Sequence, residues 1–159
     1  MALTRRWIAG VGFVLGAWWC LAGTDEAQAG QLDKLVDVTS LACTFTLRST
    51  GSWTDGLPEA AVDEPDVSFE FVSIDTQGAT AEVIGPFGPS QIITRATGEY
   101  LHFVQMFSAG PLYTTTIFNR ETDAGKLMAV HTRHEYTDVS LIGFTSRPEQ
   151  YYGECAPGS

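Results

Sequence analysis

Apolar and polar residues alternate most cleanly over Leu41 to Ser49, where Leu41, Cys43, Phe45 and Leu47 fall on one face and Ala42, Thr44, Thr46 and Arg48 on the other. A period of two is the mark of a half-buried β-strand. The same period returns along the chain. Val67, Phe69 and Phe71 alternate, and Val72 and Ile74 then shift phase, which predicts a bulge or an edge where the strand turns over. Ala79, Ala81 and Val83 alternate with Glu82 turned outward, and further strands are predicted over Gln91 to Thr97, Glu99 to Phe107, Leu112 to Asn119 and Lys126 to Tyr136. Turn residues separate them at Thr76-Gln77-Gly78, Gly98, Ser108-Ala109-Gly110-Pro111 and Glu121 to Gly125. Gly85-Pro86-Phe87-Gly88-Pro89 reads as a connection, since a proline cannot donate to a strand ladder. Gln31 to Val38 places Leu32, Leu35 and Val36 at helical spacing, enough for a short helix or lead-in. The expected fold is therefore all-β: one antiparallel barrel or sandwich of six to eight strands. The pattern alone leaves the choice open.

Composition changes this picture at the start of the chain. Arg5 and Arg6 precede an almost uncharged run from Trp7 to Ala22, and Ala27-Gln28-Ala29 is a small-x-small site before Gly30. The run is about sixteen residues, short of the roughly 20 that span a bilayer, so residues 1–29 are expected to be a cleaved signal peptide and 30–159 a single β domain. Arg5-Arg6 also permits the twin-arginine route. The mature protein is placed in the periplasm or outside the cell.

Removing the signal takes Cys20 with it and leaves Cys43 and Cys155. In an oxidising compartment these form a disulfide, the alternative being two buried thiols. A bridge would join the first strand to the chain's last residues, which favours a closed barrel.

The formal net charge is -10, and the signal region carries two residues of each sign, so the charge belongs to the mature domain. Nucleic acid and, after cleavage, anionic membranes are excluded as partners, and a cationic one is permitted. The carboxylates concentrate in Thr50 to Asp66, where Asp55, Glu59, Asp63, Glu64 and Asp66 mix with Gly51, Gly56, Pro58 and Pro65. Without periodicity this segment reads as a long acidic loop. Trp53, Leu57 and Val62 interrupt it as apolar anchors, so Trp53, Asp55, Leu57, Asp63, Glu64 and Asp66 are the interaction candidates. The plainer alternative is a solvated insertion.

Chemistry is sparsely represented. His102, His131 and His134 are the only candidate metal ligands among the histidines, and residues three apart on a strand point to opposite faces, so no convergent set is expected. Arg133 and Glu135 share a face and suit cross-strand pairing instead. There is no Gly-x-Ser-x-Gly turn, and nothing around the acidic loop would raise a carboxylic pKa. No catalytic residue and no cofactor is assigned.

Ala129-Val130-His131-Thr132-Arg133-His134, followed by Pro148-Glu149-Gln150-Tyr151-Tyr152-Gly153-Glu154-Cys155, resembles the C-terminal part of a group of small exported bacterial proteins of unknown function. Thr132 and Glu149 stand where serine is commoner in that group. The resemblance implies export and a structural role for Cys155, and no activity. The expected architecture is also similar to small periplasmic lysozyme inhibitors, although their Ser-Gly-x-x-Tyr loop has only an echo in Thr97-Gly98-Glu99-Tyr100. Two binding functions follow as expectations. One is capture of a protein, such as a cationic cell-envelope protein; the other is carriage of a small apolar ligand inside the barrel. A metal-dependent enzyme is the third, with least in its favour.

Overall fold

A computed structural model describes residues 35–85, 88–136 and 147–158. The signal region and most of the lead-in, Gln31 to Lys34, lie outside the described residues. Nine strands follow one another: β1 (Leu41–Thr54), β2 (Leu57–Asp63), β3 (Val67–Asp75), β4 (Thr80–Gly85), β5 (Gly88–Thr97), β6 (Tyr100–Met106), β7 (Leu112–Glu121), β8 (Leu127–His134) and β9 (Glu149–Pro157). From β3 to β9 each strand pairs antiparallel with the next, and β9 then pairs with β1, which pairs with β3. Eight strands thus close a barrel and β2 is added outside it. Among the described strands, the closure leaves edges only on β2 and on the part of β1 beyond Thr50. Among the described residues no helix is long and apolar enough to cross a membrane.

The inward set comes from every strand of the barrel: Leu41, Cys43 and Phe45 on β1, Phe71 on β3, Ala81 on β4, Ile92 and Thr94 on β5, Leu101 and Phe103 on β6, Thr115 and Ile117 on β7, Ala129 and His131 on β8, and Glu149, Tyr151 and Cys155 on β9. Phe71 and Phe103 stack in the middle with centroids 3.9 Å apart, and Phe69 meets Phe71 edge-on at 5.4 Å. Leu35 is buried at the end where the chain enters, and the Thr39 carbonyl accepts from Ile74 N–H at 3.0 Å. That end is closed. Phe118, by contrast, faces outward and packs against Tyr100.

The seam between the first and last strands is covalent. Cys43 lies directly opposite Cys155 with Cα atoms 4.1 Å apart, the close spacing of a non-hydrogen-bonded antiparallel pair, and their sulfurs are joined.

Three expectations are corrected. The phase of β1 does not hold to Ser49: its register with β9 slips between Phe45 and Leu47, so Thr46 is an extra residue. Beyond it the faces exchange; Phe45 is 0% exposed and Leu47 is 40% exposed, while Arg48 turns inward opposite Tyr151. The opposing residue on β9 is Gly153, and a Cβ there would meet the Thr44 carbonyl and lie 2.7 Å from Phe45 Cα. The bulge fits because glycine faces it.

Second, Thr50 to Asp66 is not a loop. β1 runs on to Thr54, Asp55-Gly56 turns the chain with φ of 53° and 80°, and β2 returns in register from Thr54↔Leu57 to Arg48↔Asp63. Two consecutive positive φ angles are what a two-residue hairpin turn requires, and Asp-Gly supplies them at little cost. Third, Pro89 lies within β5, opposite Ile84. It is tolerated because the pairing of β5 with β6 begins only at Ile93, so no donor is missed there. The predicted shift after Val72 is present as a register slip between Val72 and Asp75, with Ser73 at φ 52°.

Candidate functional site

The barrel end opposite Leu35 is polar inside. There the bulge has turned Arg48 inward, and its guanidinium forms a forked ion pair with Asp63 on β2, with Nε to Oδ1 at 2.8 Å. Arg48 also donates to Glu149 Oε1 at 3.1 Å, and Tyr151 donates to the other oxygen of that buried carboxylate. Arg133 approaches the same carboxylate at 4.0 Å and lies over the rings of Tyr151 and Tyr113, 4.9 and 5.3 Å from their centroids. Glu135 accepts from the Tyr113 hydroxyl at 3.1 Å. Arg48 on β1, Asp63 on β2, Arg133 on β8 and Glu149 on β9, with Glu135 just past β8 held by Tyr113 of β7, therefore tie the mouth together. The pairing with Arg48 holds Asp63 below the ordinary carboxylate range and raises the guanidinium further. Burial, then the bond to Glu135, pushes the Tyr113 hydroxyl up to about 12.

His131 sits inside this network. Arg133 has only donors, so its Nε donates to His131 Nε2 at 3.2 Å; the ring proton is then on Nδ1 and is donated to Thr115 Oγ1 at 2.8 Å. Both nitrogens are engaged and the ring is neutral. Burial, then the charge of Arg133, pushes its pKa down to about 3. An unfolded histidine titrates near 6.5, so below about pH 6.5 the unfolded chain takes up a proton that the folded chain refuses. The stability that this depressed pKa represents is complete above pH 6.5 and is lost as the pH falls towards 3, at up to about 1.4 kcal/mol per unit. Urea midpoints measured from pH 7 to 4.5 are expected to decline for the native chain and to stay nearly level for His131→Gln. A level native curve would mean that the folded ring accepts the proton.

The three histidines do not meet. His131 points inward, whereas His102 lies on the outer face, bonded to Thr116 at 3.0 Å and stacked on Tyr100, and His134 is exposed at the mouth. Among the described residues no three His, Cys, Asp or Glu side chains group as metal ligands.

Two spaces open near the mouth. A cavity of about 140 Å³ lies inside it, walled by Phe69, Phe71 and Val83 on one side and Tyr113, His131 and Arg133 on the other. Pockets for drug-sized ligands span roughly 300 to 1,000 Å³, so this one has room for a group of about one ring. A shallower hollow of about 590 Å³ is walled by Trp53, His134, Glu135, Tyr136 and Pro148. Residues 137–146, which connect Tyr136 to the strand after it, lie outside the described residues.

Of the sequence-selected interaction residues, Trp53, Asp55, Leu57 and Asp63 belong to the hairpin, which continues beyond the barrel, and Glu64 and Asp66 lie in the link from β2 to β3. All seven residues of β2 are exposed. Past Thr50 the β1 strand no longer pairs with β9, and Gly51 N–H donates to the Pro148 carbonyl at 2.9 Å as a last tie. Trp53, Leu57 and Val62 are 53%, 69% and 66% exposed. Directly opposed residues share a face, so Trp53 and Pro58, Gly51 and Ala60, and Ser49 and Val62 form an apolar outer face that continues onto Leu47 and Tyr152. Arg48, Glu59 and Asp63 lie on the other face. Of the candidates, Asp63 is committed to Arg48. The residues that sequence reasoning missed are Arg48 and Glu149, joined across 101 positions.

Comparison of the chain with protein-family models, with curated proteins and with solved structures returned no match to any of the three.

Proposed function

We propose that this chain is an exported, non-enzymatic binding protein whose acidic β1–β2 hairpin docks a cationic macromolecule of the cell envelope. One observation carries the reading: between residues 47 and 66 the charged residues are five carboxylates and one arginine, Arg48, and interspersed among them in sequence are Trp53, Leu57 and Val62, all more than half exposed on a two-stranded arm outside the barrel. Large apolar side chains ringed by charge are the composition of an interface, with the anchors giving affinity and the rim giving long-range attraction. The Cys43–Cys155 disulfide accords with export to an oxidising compartment. The rival reading, carriage of an apolar molecule within the barrel, is limited by the 140 Å³ left beside the packed phenylalanines.

The test replaces Asp55, Glu59, Glu64 and Asp66 by their amides and leaves Asp63 with Arg48. Binding to a basic cell-wall lysozyme, used as the cationic probe, is expected to weaken at least tenfold at low salt, and the native chain's affinity to fall steeply as salt is raised. Affinity unchanged by the four substitutions and by salt would reject the hairpin as the docking arm.

A further inference from the structure

We infer that β2 captures its partner by strand addition, pairing its free edge with an extended segment in which basic and apolar residues alternate. This rests on the hairpin being the docking arm and names what the arm holds.

The turn fixes which backbone groups are free. In a two-residue hairpin the flanking pair, here Thr54↔Leu57, exchanges both hydrogen bonds, and bonded pairs then alternate along the ribbon. Glu59, Ala61 and Asp63 therefore bond back to β1. Pro58, Ala60 and Val62 aim their backbone outward, where no described strand pairs with them. The chain leading into β9 lies on the opposite side of β1, as the bond from Gly51 to Pro148 shows. Proline has no N–H, so Pro58 ends the available ladder towards the tip and leaves Ala60 and Val62 as the two complete docking positions.

The side chains specify the occupant. A strand laid along β2 has one face beside Pro58, Ala60 and Val62 and the other beside Leu57, Glu59, Ala61 and Asp63, of which Glu59 is the carboxylate not already paired with Arg48. Cross-strand neighbours favour like polarity and opposite charge, so apolar residues suit the first face and lysine or arginine the second. The period of a strand is two, and the segment must alternate. A second copy of this chain does not fit, because it would bring the same acidic edges together on molecules of formal net charge -10.

The experiment uses the mature, oxidised chain, isotopically labelled, with three seven-residue peptides: alternating Lys and Val; the same residues with lysines and valines in separate blocks; and the alternating peptide N-methylated on the edge facing β2. Strand addition predicts that the alternating peptide binds at least tenfold more tightly than the other two, and that the Ala60 and Val62 amides shift and become protected from exchange. Ala60→Pro is expected to abolish the difference between the peptides while leaving the attraction to charge. Equal binding of all three peptides, still sensitive to salt, would overturn strand addition and leave the acidic arm standing. Absence of peptide binding at the hairpin, together with a lysozyme affinity that the four amide substitutions do not alter, would overturn both.

Discussion

Gly153→Ala is expected to cost at least about 3 kcal/mol, more than a single added methyl group costs at most positions. The built Cβ meets the Thr44 carbonyl oxygen and lies 2.7 Å from Phe45 Cα and 2.9 Å from the Thr44 carbonyl carbon. These are backbone atoms of the neighbouring strand, so no rotamer change can relieve the clash. Either the strands part or the bulge at Thr46 is lost. Loss of the bulge would return Leu47 to the inner face and expel Arg48 from the mouth, leaving the buried Glu149 without one of its arginines. Urea or thermal unfolding of the oxidised variant measures the effect. Native-like stability in Gly153→Ala would show that the close approach of β9 to β1 does not depend on glycine.

Opening the disulfide is the second large effect. The bridge closes a sequence separation of 112 residues, for which chain entropy gives about 4 to 5 kcal/mol. Net stabilities of domains are commonly about 5 to 15 kcal/mol, so the bridge alone decides whether the barrel tolerates mild denaturation. A Cys43→Ala, Cys155→Ala chain is expected to unfold at a much lower urea concentration than the oxidised protein, and reductant should bring the native chain down to about the same value. A midpoint indifferent to reductant would mean that the β1–β9 hydrogen bonds already hold the seam. Gly153 and Cys155 act on the same strand pair two residues apart, so the two losses should not add simply.

The barrel was legible where a strand has one face to bury. Leu41, Cys43 and Phe45 alternate because one side of β1 sees the core, and Leu101 and Phe103 do so on β6 for the same reason. The pattern misled where its physical cause was absent. The β2 strand is exposed on both faces, so no apolar period marks Leu57 to Asp63, and its carboxylates resembled those of a loop. Only Asp55-Gly56 announced the hairpin, through its turn conformation rather than its hydropathy. The exchange of Leu47 and Arg48 was not legible in β1 at all, since it depends on a glycine 106 positions later that admits the bulge. The mouth network was half visible. Arg133 and Tyr151 stood out in the C-terminal pattern, but Glu149 becomes meaningful only when the seam places it beside Arg48.

The 14-residue strand β1 carries the disulfide in its first half and the projecting arm in its second. A pull on the arm, as from a partner fixed to a large or moving structure, travels along that strand. Hydrogen bonds between strands peeled apart from one end would break in sequence, like a zipper, under small loads. Here peeling that begins at the arm stops at a covalent bond six residues beyond Ser49, and the first strand cannot be stripped from the last while the cystine is intact. The arm is thereby fastened to the barrel by a covalent bond as well as by the β1–β9 hydrogen bonds, and reduction of Cys43 and Cys155 would leave the hydrogen bonds alone to hold it.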